Sequence, residues 1–200
     1  RAAEAGEVPC GAVIVPKPRY QQTIWIHTNN RNETMDAFDT DTFYMQIALQ
    51  EAQRAAEAGE VPCGAVIVLD DQIIGKAHNQ TEQLNDPTAH AEILAITQAT
   101  QHLQNWRLNR TVMYVTKEPC PMCAGALVLA RIQRVVWGMS DPIRGGAQSK
   151  FNILNEADLN HSVDVTTGIL EEPSRQLMQS FFHALRSRKK DIAQTPSNND

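Results

Sequence analysis

The sequence predicts an α/β protein in which helices cover both faces of a mixed sheet. Short apolar runs of strand character alternate along the chain with segments whose apolar residues recur at helical spacing. An Asp-Asp pair also separates two neighbouring strand-like runs and makes a tight turn between them, so one pair of strands is expected to be a hairpin. At 200 residues and 42% apolar content, the chain can supply one buried core.

The elements follow in order. From about Thr42 to Ala58, Met45, Ala48, Leu49, Ala52, Ala55 and Ala56 share one helical face, and Gly59 is a stop signal. Gly64 to Leu69 reads as a strand, Asp70-Asp71 as the turn, and Ile73 and Ile74 as the core of the returning strand. Start signals at Asp86-Pro87-Thr88 predict a helix running through Ile93, Leu94 and Ile96 towards Asn105. Thr111 to Thr116 is a buried strand, Pro119 introduces a helix to about Ala130, and Val135 to Gly138 is a short strand. Residues 139–162, rich in Asp, Asn, Gly and Ser, form a long connection with one short helix near Ile153. Val163 to Thr166 is the last strand. Ser174 to Arg188 is the last helix, with Leu177, Met178, Phe181, Phe182 and Leu185 on one stripe.

The segment RAAEAGEVPCGAVIV occurs at residues 1–15 and again, letter for letter, at 54–68. The first copy is only a helix end and a strand, followed by Pro16-Lys17-Pro18, which cannot continue sheet pairing. We therefore expect residues 1–34 to be a duplicated fragment and linker without a function of its own. Residues 35–190 are expected to form the working domain and 191–200 a polar disordered tail.

A net charge of −5 argues against indiscriminate nucleic-acid binding, although Arg186, Arg188, Lys189 and Lys190 make a local basic patch at the end of the last helix. No apolar run approaches a membrane span, so no membrane association is expected. Acidic Glu4 and Glu7 lie in a stretch without the layout of a targeting peptide, and the four cysteines do not form a secreted disulfide framework. A cytoplasmic location follows as an expectation.

The chemistry lies in two short motifs, His90-Ala91-Glu92 and Pro119-Cys120-Pro121-Met122-Cys123. A helix opening after Pro119 puts both sulfurs on one face of its first turn, where thiolate is favoured. With His90 they make a Cys₂His set, and three protein ligands with an open fourth position are the count of a catalytic zinc. Glu92, two residues from His90, is cast as the acid/base beside the metal rather than as a ligand. Alone, a C-x-x-C is often a redox pair or a structural half-site, and a lone H-x-E carries nothing. Together and in this order they match the zinc-deaminase signature H-x-E…P-C-x-x-C.

From about Phe43 to Arg188 the chain resembles the bacterial tRNA-specific adenosine deaminases of the cytidine-deaminase superfamily. EVPCGAVIV, DPTAHAEI, EPCPMCAGAL, ARIQRVVWG and the Phe181-Phe182 pair fall in that family's order and spacing. The resemblance implies a three-layer α/β/α fold with a five-stranded mixed sheet, a homodimer, and one zinc per subunit held by His90, Cys120 and Cys123. It implies hydrolytic conversion of the wobble adenosine of a tRNA anticodon stem-loop to inosine, with Glu92 as proton shuttle. Asn79 would contact the flipped base, Ala91 the pocket through its backbone, Asp141 the ribose-phosphate, and Phe182 with the basic helix end the RNA. The chain departs from the family at Cys63, where Val is frequent, at Lys117, where Leu is usual, and at Leu129, where some members have His. Cys63 reads as packing rather than as a fourth ligand. Two other functions fit parts of the pattern: deamination of a free base such as guanine, and a zinc-stabilised RNA-binding subunit without activity, against which the presence of Glu92 speaks.

Overall fold

The computed structural model describes residues 37–156 and 158–194, all within a compact unit that begins at Met35. The duplicated fragment 1–34 lies outside the described residues. Five strands form one sheet: β1 (Gly64–Leu69), β2 (Gln72–His78), β3 (Val112–Lys117), β4 (Arg134–Met139) and β5 (Asp164–Thr167). Their order is β2-β1-β3-β4-β5. β1 runs antiparallel to β2 and β3, whereas β3, β4 and β5 are mutually parallel. The sheet is therefore mixed, as the sequence predicts.

The central strands read as unbroken apolar runs because both faces of the sheet are covered. Ala65 and Ile67 of β1, Met113 and Val115 of β3, and Val135 and Trp137 of β4 point into one core cluster. The alternating residues Val66, Val68, Tyr114 and Val136 point into the other. The first cluster is closed by α3 (Ala91–Leu103), through Ala91, Ala95 and Ala99, and by α4 (Pro121–Leu129), through Ala124, Leu127 and Val128. Against the second pack α1 (Ala37–Glu57), through Tyr44, Met45 and Ala48, and α5 (Glu171–Gln194), which lies along β4. This is the three-layer α/β/α arrangement with a five-stranded mixed sheet. Its tight packing shows at Gly64, where a Cβ would stand 2.1 Å from the Ala48 carbonyl oxygen of α1.

The hairpin turn is as expected, with Asp70 and Asp71 both in the left-handed region at φ 46° and 61° and Leu69 opposite Gln72. Three expectations need correction. The helix predicted to open at Asp86-Pro87-Thr88 opens at Ala91, because the Asp86 side chain accepts the N–H and hydroxyl of Thr88 and closes a local turn instead. A four-residue helix, α2 (Thr81–Leu84), fills part of the space before it. The last helix begins at Glu171 and runs to Gln194, four residues into the segment expected as disordered tail. The long connection after β4 is irregular, with one 3₁₀ turn at Ile153–Asn155, where the short helix is expected.

Candidate active site

Two helix N-termini meet at one end of the sheet. His90 is the residue before α3, in extended conformation, and Glu92 lies in the helix's first turn. Cys120 holds the same place before α4, Pro121 supplies the first helical position, and Cys123 completes the turn. The proline fits because its missing N–H is one the helix end leaves unbonded anyway.

The three donor atoms converge. His90 Nδ1 lies 3.5 Å from Cys123 Sγ and 3.7 Å from Cys120 Sγ, and the two sulfurs are 3.7 Å apart. Tetrahedral bonds of about 2.3 Å to sulfur and about 2.05 Å to nitrogen would give edges of about 3.8 Å and about 3.6 Å. The donor set therefore fits a single tetrahedral metal ion, and among the described residues it is the group so arranged. Cys63 is not a member of it.

Charge is distributed unevenly over the site. The contact with the Cys123 sulfur, and then that with His90, outweighs burial and brings Cys120 down to about 4, while the Cys123 thiol is pushed up by the same contact and by burial. A low Cys120 pKa favours the thiolate, the form that a metal takes. Glu92 is buried at 5% exposure, and burial raises its carboxyl above the ordinary range. A buried carboxyl with a raised pKa, next to a donor set that fits a metal ion, is suited to holding and releasing a proton.

These groups open onto a cavity of about 570 Å³. Asn79, His90, Glu92, Cys120, Asp141 and Phe182 all line it, so several elements and their connections contribute. Cys123 is buried behind His90 and Cys120. Ala91 is fully buried and does not line the cavity with its side chain. Phe182 is exposed at the mouth, edge-on to Phe181, and Met178 lies one turn before it. Of the three departures, Cys63 and Lys117 line the cavity, and Leu129 lies exposed on α4 away from it. Burial raises the Cys63 thiol to about 12, which keeps it an apolar neutral group.

One wall is organised by a residue that the motifs do not single out. Glu118 is 2% exposed, and its carboxylate accepts the N–H groups of Asp141 (2.8 Å), Gln148 (2.9 Å) and Ser149 (2.8 Å) together with the Ser149 hydroxyl. Gly145 lets the loop close over it, since a Cβ there would lie 2.4 Å from the carboxylate. Asp141 is held in turn by the N–H groups of Ile143 and Arg144, 3.0 Å each, and by an ion pair with Lys117. Only the position of Glu118, directly before Pro119-Cys120, hints at this role in the sequence.

Comparison with known proteins agrees with the chemistry. The MafB19-like deaminase family model matches residues 38–186. The chain is 47% identical over 150 residues to the tRNA-specific adenosine deaminase of Bacillus subtilis (strain 168), covering 75% of this chain and 93% of that protein. It is 50% identical over 145 residues to the tRNA-specific adenosine deaminase of Aquifex aeolicus (strain VF5), covering 72% and 95%. A solved structure from work on A-to-I editing by tRNA:A34 deaminases at the wobble position superposes with a TM-score of 0.66 at 43% identity, over 68% of this chain and 99% of that one. A guanine deaminase from Nitrosomonas europaea superposes with a TM-score of 0.61 at 21% identity, over 70% and 83%, a likeness of fold alone.

Proposed function

We propose that this chain, which belongs to the MafB19-like deaminase family, hydrolyses the wobble adenosine of a tRNA anticodon loop to inosine, releasing ammonia. The observation that carries the reading is the convergence of His90, Cys120 and Cys123 around one point beside the buried Glu92. Identities of 47% and 50% with two tRNA-specific adenosine deaminases support the choice of substrate over guanine, since the likeness to the guanine deaminase is one of fold only.

His90, Cys120 and Cys123 would hold a zinc ion, one per subunit. Such an ion, when bound, supplies a Lewis acid that brings the ionisation of water near neutral pH. Glu92 takes the proton of the attacking water and passes it to the ring nitrogen next to the amino-bearing carbon. It then carries a proton to the departing amino group, so a single carboxyl serves addition and elimination. Its burial keeps bulk water from competing for that proton. Asn79 contacts the flipped base, the Ala91 backbone closes the pocket floor, Asp141 meets the ribose-phosphate, and Phe182 packs against the RNA at the cavity mouth.

One active site per chain is proposed, within residues 35–190, because residues 1–34 contain no counterpart of His90, Glu92, Cys120 or Cys123. The working form is proposed to be a homodimer joined through α4. That helix, PMCAGALVL, is apolar all round: Cys123, Ala124, Leu127 and Val128 face the core, while Met122 and Leu129 are exposed on the outer side. A helix of this kind belongs between two packed surfaces. No described helix is long and apolar enough to cross a membrane, and a cytoplasmic location is proposed with the tRNA substrate.

The experiment is direct. An anticodon stem-loop with adenosine at the wobble position and, separately, guanine are incubated with the purified protein. Inosine in the stem-loop supports the reading; guanine turnover with an unchanged stem-loop contradicts it.

A further inference from the structure

Glu60 is a buried carboxylate that the chemistry above does not use. It follows Gly59, the positive-φ residue just past the end of α1, and its side chain turns inward to 1% exposure at the cavity wall. Burying a carboxylate without a cation is costly unless its oxygens are fully hydrogen-bonded. No ion pair among the described residues involves it. Its partners are instead two N–H donors: Oε2 accepts from Asn79 Nδ2 at 3.0 Å, and Oε1 from the Gln83 backbone N–H at 2.8 Å.

An asparagine amide can point either way in a pocket, and its two ends present opposite hydrogen-bonding character. Both Glu60 oxygens accept, Oε1 from the Gln83 N–H and Oε2 from Asn79, so it is the Nδ2 end of Asn79 that faces Glu60. Thr81 closes the other side, its hydroxyl donating to Asn79 Oδ1 at 3.3 Å. Asn79 is itself 5% exposed and has little freedom besides these two contacts.

We infer that Glu60 is a positioning residue: by fixing the amide orientation of Asn79 it sets the donor and acceptor pattern that the cavity offers to the substrate base. The inference rests on the reading of Asn79 as a base contact. Glutamine at position 60 both donates and accepts, so it keeps the size of the side chain while releasing the choice of orientation.

The test is a double-mutant cycle of Glu60→Gln and Asn79→Ala in the full chain, read as kcat/KM for the adenosine stem-loop, with metal content and melting temperature measured alongside. Each single change is expected to lower kcat/KM about tenfold with metal retained. The double variant should then be no slower than Asn79→Ala alone, since Glu60 has nothing left to orient. If Glu60 merely props the α2 turn through Gln83, that bond persists without Asn79, the two losses multiply, and the inference is overturned. If Asn79→Ala alone leaves kcat/KM unchanged, the base contact falls and the inference with it, while deamination by the unaltered protein shows that the activity stands. Thr81→Val offers a second route if Glu60→Gln does not fold: it frees the other end of the amide, and its loss should likewise vanish in the Asn79→Ala background. A Thr81→Val loss that persists there would count against the inference.

Discussion

The Lys117 ammonium pairs with the Asp141 carboxylate on the wall of the cavity, tying the end of β3 to the loop that follows β4. The pair, with Asp141 hydrogen-bonded to Ile143 and Arg144 N–H groups, holds Asp141 below its ordinary pKa despite its burial. Asp141 is therefore charged throughout the neutral range, and Lys117 cancels a negative charge that would face RNA phosphates. Lys117→Leu should raise KM for the stem-loop roughly 3- to 10-fold and leave kcat nearly unchanged, with the difference shrinking at high salt. Steady-state kinetics at two ionic strengths check this. The loop itself should hold, because Ile143 and Arg144 remain bonded to the other carboxylate oxygen.

Glu118 should govern acid stability. Burial alone would raise its pKa, but bonds from Ser149, Asp141 and Gln148 outweigh it and hold the carboxyl below the ordinary range. The folded state then binds fewer protons than the unfolded one, so this contribution is complete above the unfolded pKa of about 4.3 and is lost as pH falls through the lower folded value. Glu118→Gln should cost about 2–3 kcal/mol at neutral pH. Melting curves of variant and parent should draw together as the pH is lowered below about 4.

The last helix should add affinity without touching the chemistry. Arg186 and Arg188 are exposed beyond Phe182, and Lys189 and Lys190 follow in the sequence. Truncation after Leu185 removes all four cations, so binding of the stem-loop should weaken and its dependence on salt should flatten, by roughly 0.7 in log–log slope for each phosphate that is no longer neutralised. Metal content should not change. Binding measured across a salt series in both proteins supplies the slopes.

Removing residues 1–34 should leave specific activity equal or higher. The first copy of the repeat duplicates β1 without its partners, and its Ala12–Val15 run is identical to Ala65–Val68, a segment that needs a place between β2 and β3. Residues 1–34 carry no counterpart of His90, Glu92, Cys120 or Cys123, so their removal takes no part of the chemistry away. Parallel assays of the full chain and of residues 35–200 check the expectation, and a large loss on deletion would run against it.

The legible parts of the fold are those with a strong local signal. β1 is legible to the residue because Gly64 and the Asp70-Asp71 turn bound an unbroken apolar run, and α4 follows from its opening proline and cysteine spacing. The start of α3 is not, because Asp86, Pro87 and Thr88 serve equally as helix openers and as a side-chain-closed turn, and local sequence does not decide between them. The metal-binding set is legible because its residue types and spacing are themselves the constraint. Glu60 and Glu118 are hidden, because a carboxylate buried by groups remote in sequence looks, in the sequence, like any surface acid.

Inosine formation at the wobble position is assigned to the His90, Cys120, Cys123 set together with Glu92. The most direct measurement compares inosine formed in the adenosine stem-loop by the parent and by Glu92→Ala, with zinc determined in both. About one zinc per chain is expected in each protein, with inosine at the wobble position from the parent and a rate about 10²–10⁴-fold lower from Glu92→Ala. Zinc lost together with the Glu92 side chain, or inosine formed as fast without it, would contradict the assignment of Glu92 as the proton carrier beside the metal.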